Sequence, residues 1–89
     1  MNVWEIAILR SIEARGGSGN TKEIYAELES GKFITLNEND LRETVYGGRP
    51  AYQHQVRSHL SNMRQAGDLR RVKRGTYALT EKGLQRVRS

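Results

Sequence analysis

Residues 47–83 read GGRPAYQHQVRSHLSNMRQAGDLRRVKRGTYALTEKG, and this stretch decides the fold of the 89-residue chain. Tyr52, Val56, Leu60 and Met63 recur at helical spacing. At ~100° per residue they fall within about 40° of one direction. The spacing predicts a helix over 50–66, with Pro50 tolerated in the first turn and Gly67 as its C-cap. His54, Ser58, Ser61 and Gln65 fall opposite the apolar stripe. Arg57 and Arg64 lie on one flank, and Gln55 and Asn62 on the other. The outward face therefore carries no carboxylate and many hydrogen-bonding groups.

Past Asp68 the period changes. Leu69–Lys73 and Thr76–Leu79 read as two strands around Arg74-Gly75, because a hairpin turn favours glycine for its positive φ. Leu69, Val72, Tyr77 and Leu79 supply the apolar anchors. Arg70, Arg71, Lys73 and Arg74 place four cations within five residues. Thr80 caps a last helix from Glu81 to about Arg88, with Leu84 and Val87 inward.

Upstream, Trp4, Ala7, Ile8 and Ile12 give a helix over 3–14, with Trp4 in the core. Ile6 and Leu9 widen its apolar stripe, which suits either a dimer contact or burial under the insert that precedes the third helix. Gly16-Gly17-Ser18-Gly19 ends that helix. Asn20 and Glu23 stand at capping-box spacing before a second helix, with Ile24, Tyr25 and Leu28 inward, ending near Ser30-Gly31. Between 32 and 49 the pattern is weaker. Phe33, Ile34 and Leu36 suggest a short extended piece, and Asn37 caps a short helix from Glu38 to about Thr44 with Leu41 and Val45 inward.

Composition narrows the function classes. The chain has no cysteine, so it has neither a disulfide nor a thiolate metal site. His54 and His59 are five apart, whereas a helix brings together residues four apart, so no metal pair is expected. No Gly-x-Ser-x-Gly or phosphate-binding Walker loop occurs, and no carboxylate pair followed by lysine suggests a nuclease centre. The reading is therefore of a non-enzyme with no cofactor. No apolar run approaches the ~20 residues that span a bilayer, and no leader precedes the first helix, so a cytoplasmic location is expected. Residues 1–44 carry five basic and eight acidic side chains, a net −3. Residues 45–89 carry ten basic and two acidic ones, a net +8. Such segregation points to a polyanion partner, because solubility alone does not require it.

The order helix, helix, insert, helix, strand, strand, helix resembles a winged helix-turn-helix. Ala66-Gly67-Asp68-Leu69 followed by Arg74-Gly75-Thr76-Tyr77-Ala78-Leu79-Thr80-Glu81-Lys82-Gly83 carries the likeness. A helix-turn-helix joins its helices by 3–4 residues, so this would be an elaborated form, with an insert before the recognition helix. The expected fold is α+β, mainly α: a three-helix core, a C-terminal hairpin wing and a final helix, in one domain over 1–89. More narrowly, the chain resembles the winged-helix modules of restriction endonucleases. These are the Mrr N-terminal domain and the methyladenine-reading winged helix of modification-dependent enzymes.

The resemblance implies a module that binds double-stranded DNA for a fused or partner nuclease. Helix 50–66 would enter the major groove, and the wing 69–79 would meet the backbone. A stand-alone transcriptional regulator, or a protein-interaction winged helix with an acidic partner, is the alternative; the oligomeric state stays open. Candidate DNA-contacting residues are Gln53, His54, Arg57, Ser58 and Ser61 on the helix, with Arg64 nearer a phosphate. Arg71, Lys73 and Arg74 belong to the wing. Tyr46, Arg49 and Tyr52 stand at the helix entrance, where an aromatic face could receive the methyl of an N6-methyladenine. Tyr52 also shares the phase of Val56, which fits the core instead.

Overall fold

The computed structural model describes residues 2–44 and 47–88. Its elements in chain order are α1 (Val3–Ala14), β1 (Ser18–Asn20), α2 (Thr21–Glu29), α3 (Glu38–Leu41), α4 (Ala51–Ala66), β2 (Leu69–Lys73), β3 (Thr76–Leu79) and α5 (Glu81–Arg88). The fold is α+β and mainly helical, with a layout compatible with a winged helix.

Three helices make the core because each has one apolar stripe to bury. Ala7, Ile8, Leu9 and Ile12 of α1 meet Ile24 and Leu28 of α2 and Tyr52, Val56, Leu60 and Met63 of α4, with Leu69 of β2 closing the cluster. Burying a side chain of this size is worth ~1.5–3 kcal/mol. Leu9 is fully buried within the chain itself, and Trp4 packs against the core partly exposed.

The ends of the helices follow from their caps. Asn20 and Glu23 complete the capping box of α2: Asn20 Oδ1 accepts from the Glu23 amide at 2.8 Å, and Glu23 Oε1 accepts from the Asn20 amide at 2.9 Å. At the end of α4, Gly67 takes a φ of 87°, where a side chain would be strained. The Gly67 amide then donates to Arg64 O at 3.2 Å and the Asp68 amide to Met63 O at 2.9 Å, a Schellman closure. Lys82 Nζ and Thr80 Oγ1 take the carbonyls of Ala66 and Gly67.

Several local expectations change. Ser18–Asn20, read only as the end of the first helix and the cap of the second, also forms a strand: Ser18 pairs with Ala78, Gly19 with Tyr77 and Asn20 with Thr76. The sheet is antiparallel in the order β1-β3-β2. Three small or polar residues carry no period of their own, so the pairing is set by β3. The helix at 38 stops at Leu41 after one turn, because the chain folds back into a ribbon. Thr44 N donates to Arg49 O and Ala51 N to Arg42 O, both at 2.9 Å. Leu41 therefore stays 50 % exposed rather than turning inward; Val45 lies outside the described residues. Val72 is not an anchor either but 48 % exposed, since the ladder slips between Arg71 and Lys73 and Val72 occupies the bulge. Pro50 precedes the helix as its N-cap, with an extended ψ of 144°. Phe33, Ile34 and Leu36 join no strand and pack partly buried against the core.

Candidate nucleic-acid interface

The bulge in β2 decides which cations share a face. In an unbroken strand Arg71 and Lys73 would share a face, and Arg74 would point the other way. One extra residue shifts the alternation, and Arg74 joins Arg71 on the wall of a cleft, while Lys73 is exposed outside it. The second wall is the flank of α4 that carries Gln53 and Arg57, with Arg49 just before it. Thr21 and Lys22 at the N-terminus of α2 form the end, beneath Gly75, whose carbonyl accepts from the Thr21 amide at 3.0 Å. Tyr25, Leu60 and Tyr77 complete the lining, and the cleft volume is about 660 Å³.

Five cations therefore surround one cleft: Lys22, Arg49, Arg57, Arg71 and Arg74. No carboxylate lines it, and among the described residues none of the five lies within ion-pair distance of an acid. Their field reaches the Tyr25 phenol: burial raises its pKa, and the charges of Arg57 and Arg49 pull against that rise. The acidic side chains of the first half are spent elsewhere. Glu23 and Glu27 bind Arg15 on the far side of α2, at 3.2 and 3.0 Å.

The other expected residues divide. His54, Ser58, Ser61 and Arg64 are all exposed on α4, as their phase required. His54 Nε2 lies 3.1 Å from Thr44 Oγ1 and so ties the 42–44 arm of the ribbon to the helix. Tyr52 is not at the surface. It is fully buried, its phenol donates to the Glu29 carboxylate, and its ring meets Tyr25 edge-on with centroids 5.8 Å apart. Its periodicity with Val56 outweighs its place at the helix entrance. Tyr46 lies outside the described residues.

Sequence reading missed Lys22, Tyr25 and Tyr77 as cleft residues. Lys22 and Tyr25 were assigned to a helix whose relation to the wing no local pattern reveals. It also missed the opposite flank of α4. There, His59 Nδ1 lies 3.2 Å from Glu5 Oε2, Arg86 Nη2 donates to Glu5 Oε1 at 3.0 Å, and Arg86 Nη1 binds the Asp68 carboxylate. Asp68 is fully buried and its Oδ1 has no hydrogen-bond partner among the described residues. This network joins α1, α4 and α5, with the Arg86 guanidinium bound by both Glu5 and Asp68. Among the described residues no cluster of three His, Cys, Asp or Glu side chains is arranged for a metal, and no helix is long and apolar enough to cross a membrane.

Comparison with curated proteins found no match, and comparison with solved structures found none. The family model of the Mrr N-terminal domain matches residues 4–89, nearly the whole chain. That region is the non-catalytic amino-terminal part of a restriction enzyme. With this extent of match, and with the helical core and hairpin in place, the chain belongs to the Mrr N-terminal domain family.

Proposed function

We propose that this chain is the duplex-DNA-binding module of a restriction system. The amino-terminal half of α4, with Gln53, His54, Arg57, Ser58 and Ser61, meets base edges in the major groove. Arg49, Arg71, Arg74 and Lys22 hold the phosphates of the strand that crosses the cleft, with Arg64 and Lys73 at its margins. A nuclease domain, fused or associated, does the cutting. One observation carries the reading: among the described residues, Lys22 of α2, Arg49 just before α4, Arg57 of α4, and Arg71 and Arg74 of the hairpin surround one cleft, with no acid within ion-pair distance of them and no carboxylate in its lining. A solvated charged surface mixes both signs, whereas a polyanion site gathers one sign.

Fluorescence anisotropy with a labelled 20-base-pair duplex tests the reading. Log K should fall linearly with log salt, at a slope of about −3.6 if each of the four cations that hold the crossing strand meets one phosphate. Absence of duplex binding at low salt, with binding of an acidic protein instead, would overturn it. Sensitivity to N6-methyladenine belongs to the same proposal. It rests on the resemblance to the methyladenine-reading winged helix of modification-dependent enzymes and on Tyr46, and one duplex prepared with and without the methyl group tests it. Equal affinities would remove that part alone.

A further inference from the structure

Gln53 occupies a singular place in the cleft. It stands in the first turn of α4, with Arg49 and Arg57 on the same wall. Its amide Nε2 lies 3.4 Å from the hydroxyl of the buried Tyr52. That hydroxyl has already committed its proton to the carboxylate of Glu29 at the end of α2. Burial and the bond to Glu29 push the Tyr52 pKa up to about 12, so the phenol keeps its proton. Its oxygen can therefore only accept from Gln53.

This settles which way the glutamine amide faces. A carboxamide has two N–H donors and one carbonyl acceptor, and a phenol oxygen that can only accept selects the nitrogen. One N–H is used inward. When that N–H is the one trans to the carbonyl, the cis N–H and the carbonyl remain side by side. A donor beside an acceptor is the complement of adenine in the major groove, where N7 accepts and the N6 amino group donates. Guanine presents two acceptors, N7 and O6, and would set its O6 against the glutamine carbonyl.

Resting on the duplex-DNA reading above, we propose that Gln53 selects adenine at one position of the target and that Tyr52, held by Glu29, is the positioning residue that fixes its amide. An amide without this brace is free to turn over, which exchanges donor and acceptor and erases the order in which an A·T pair is read. Tyr52 thus acts on base choice from inside the core, without touching DNA.

The test is selection from a randomised duplex library, followed by affinity measurement on the best site and its single-base variants. The wild-type chain should prefer adenine at one position by about 5- to 150-fold, the span of one good bidentate contact. Gln53→Ala should abolish that preference and lower affinity for the best site to that of its single-base variants at the position. Glu29→Ala, at an exposed residue whose loss spares the core, returns the phenol proton to Gln53; it should lower the preference severalfold while affinity for random duplex is unchanged. Glu29→Gln keeps a carbonyl to accept the phenol proton and should restore it. A merely structural role would shift the melting temperature and not the base profile. An unchanged profile in Gln53→Ala would overturn the inference. A profile lost in Gln53→Ala but intact in Glu29→Ala and Tyr52→Phe would overturn the positioning role. Failure of every duplex to bind would instead overturn the proposed function itself.

Discussion

Arg57 of α4 and Arg74 of the hairpin turn line the same cleft, although the core-facing stripe of α4, a helix cap and a whole strand separate them along the chain. Under the proposed function their roles should differ, because the helix would read bases and the turn would meet the backbone. Arg57→Ala should cost ~1–3 kcal/mol of duplex binding and relax base preference. Arg74→Ala should weaken all duplexes alike and reduce the salt slope by about one. Anisotropy titrations at several salt concentrations separate the two, and the reverse pattern would exchange the roles of helix and hairpin.

Arg86 should matter for folding rather than binding. Its guanidinium is the charged partner of the fully buried Asp68. Arg86→Met leaves that carboxylate buried beside a thioether, and breaking such a pair costs ~3–5 kcal/mol. The double variant Arg86→Met with Asp68→Asn should recover part of the loss, since no charge is then stranded. Urea unfolding reads both; a double variant no better than the single one would contradict this account of the pair.

Acid should loosen the same network. Burial alone would raise the pKa of Glu5, but hydrogen bonds and charges from Arg86 and His59 outweigh it and hold the carboxyl below its ordinary 4.5. A depressed folded pKa means that the stabilisation is complete above about pH 4.5 and is lost as pH falls through the lower, folded value. Glu5→Gln should therefore be less stable than the wild type at neutral pH, and the gap should shrink below pH 4.5. Melting temperatures measured across pH 2.5–7 check this; a gap that widens with acid would reverse the assigned sign.

Gly83 should resist even alanine. A Cβ built on it would overlap the backbone carbonyl of Asp68, so neither partner has a side chain to rotate away. Glycine to alanine within a helix ordinarily stabilises by ~1 kcal/mol. Here overpacking, ~1–3 kcal/mol or more, should win, and Gly83→Ala should unfold at lower urea with an unchanged slope. A more stable Gly83→Ala would mean that α5 stands further from the 68 turn than described.

The sequence by itself determined what repeats along the chain. The period of Tyr52, Val56, Leu60 and Met63 set α4 and its core face, Asn20 with Glu23 set the start of α2, and Arg74-Gly75 set the hairpin turn. These are local signals, carried by neighbours within a turn or two. Tertiary structure alone decided what depends on partners distant in sequence. It paired Ser18–Asn20 with β3, buried Asp68 against Arg86, and turned the Gln53–Arg57 flank of α4, not the Gln55–Asn62 flank, toward the hairpin. A helical pattern fixes the angle between two side chains but not the direction in which the helix faces its neighbours. That direction follows only when the three apolar stripes have found a common core.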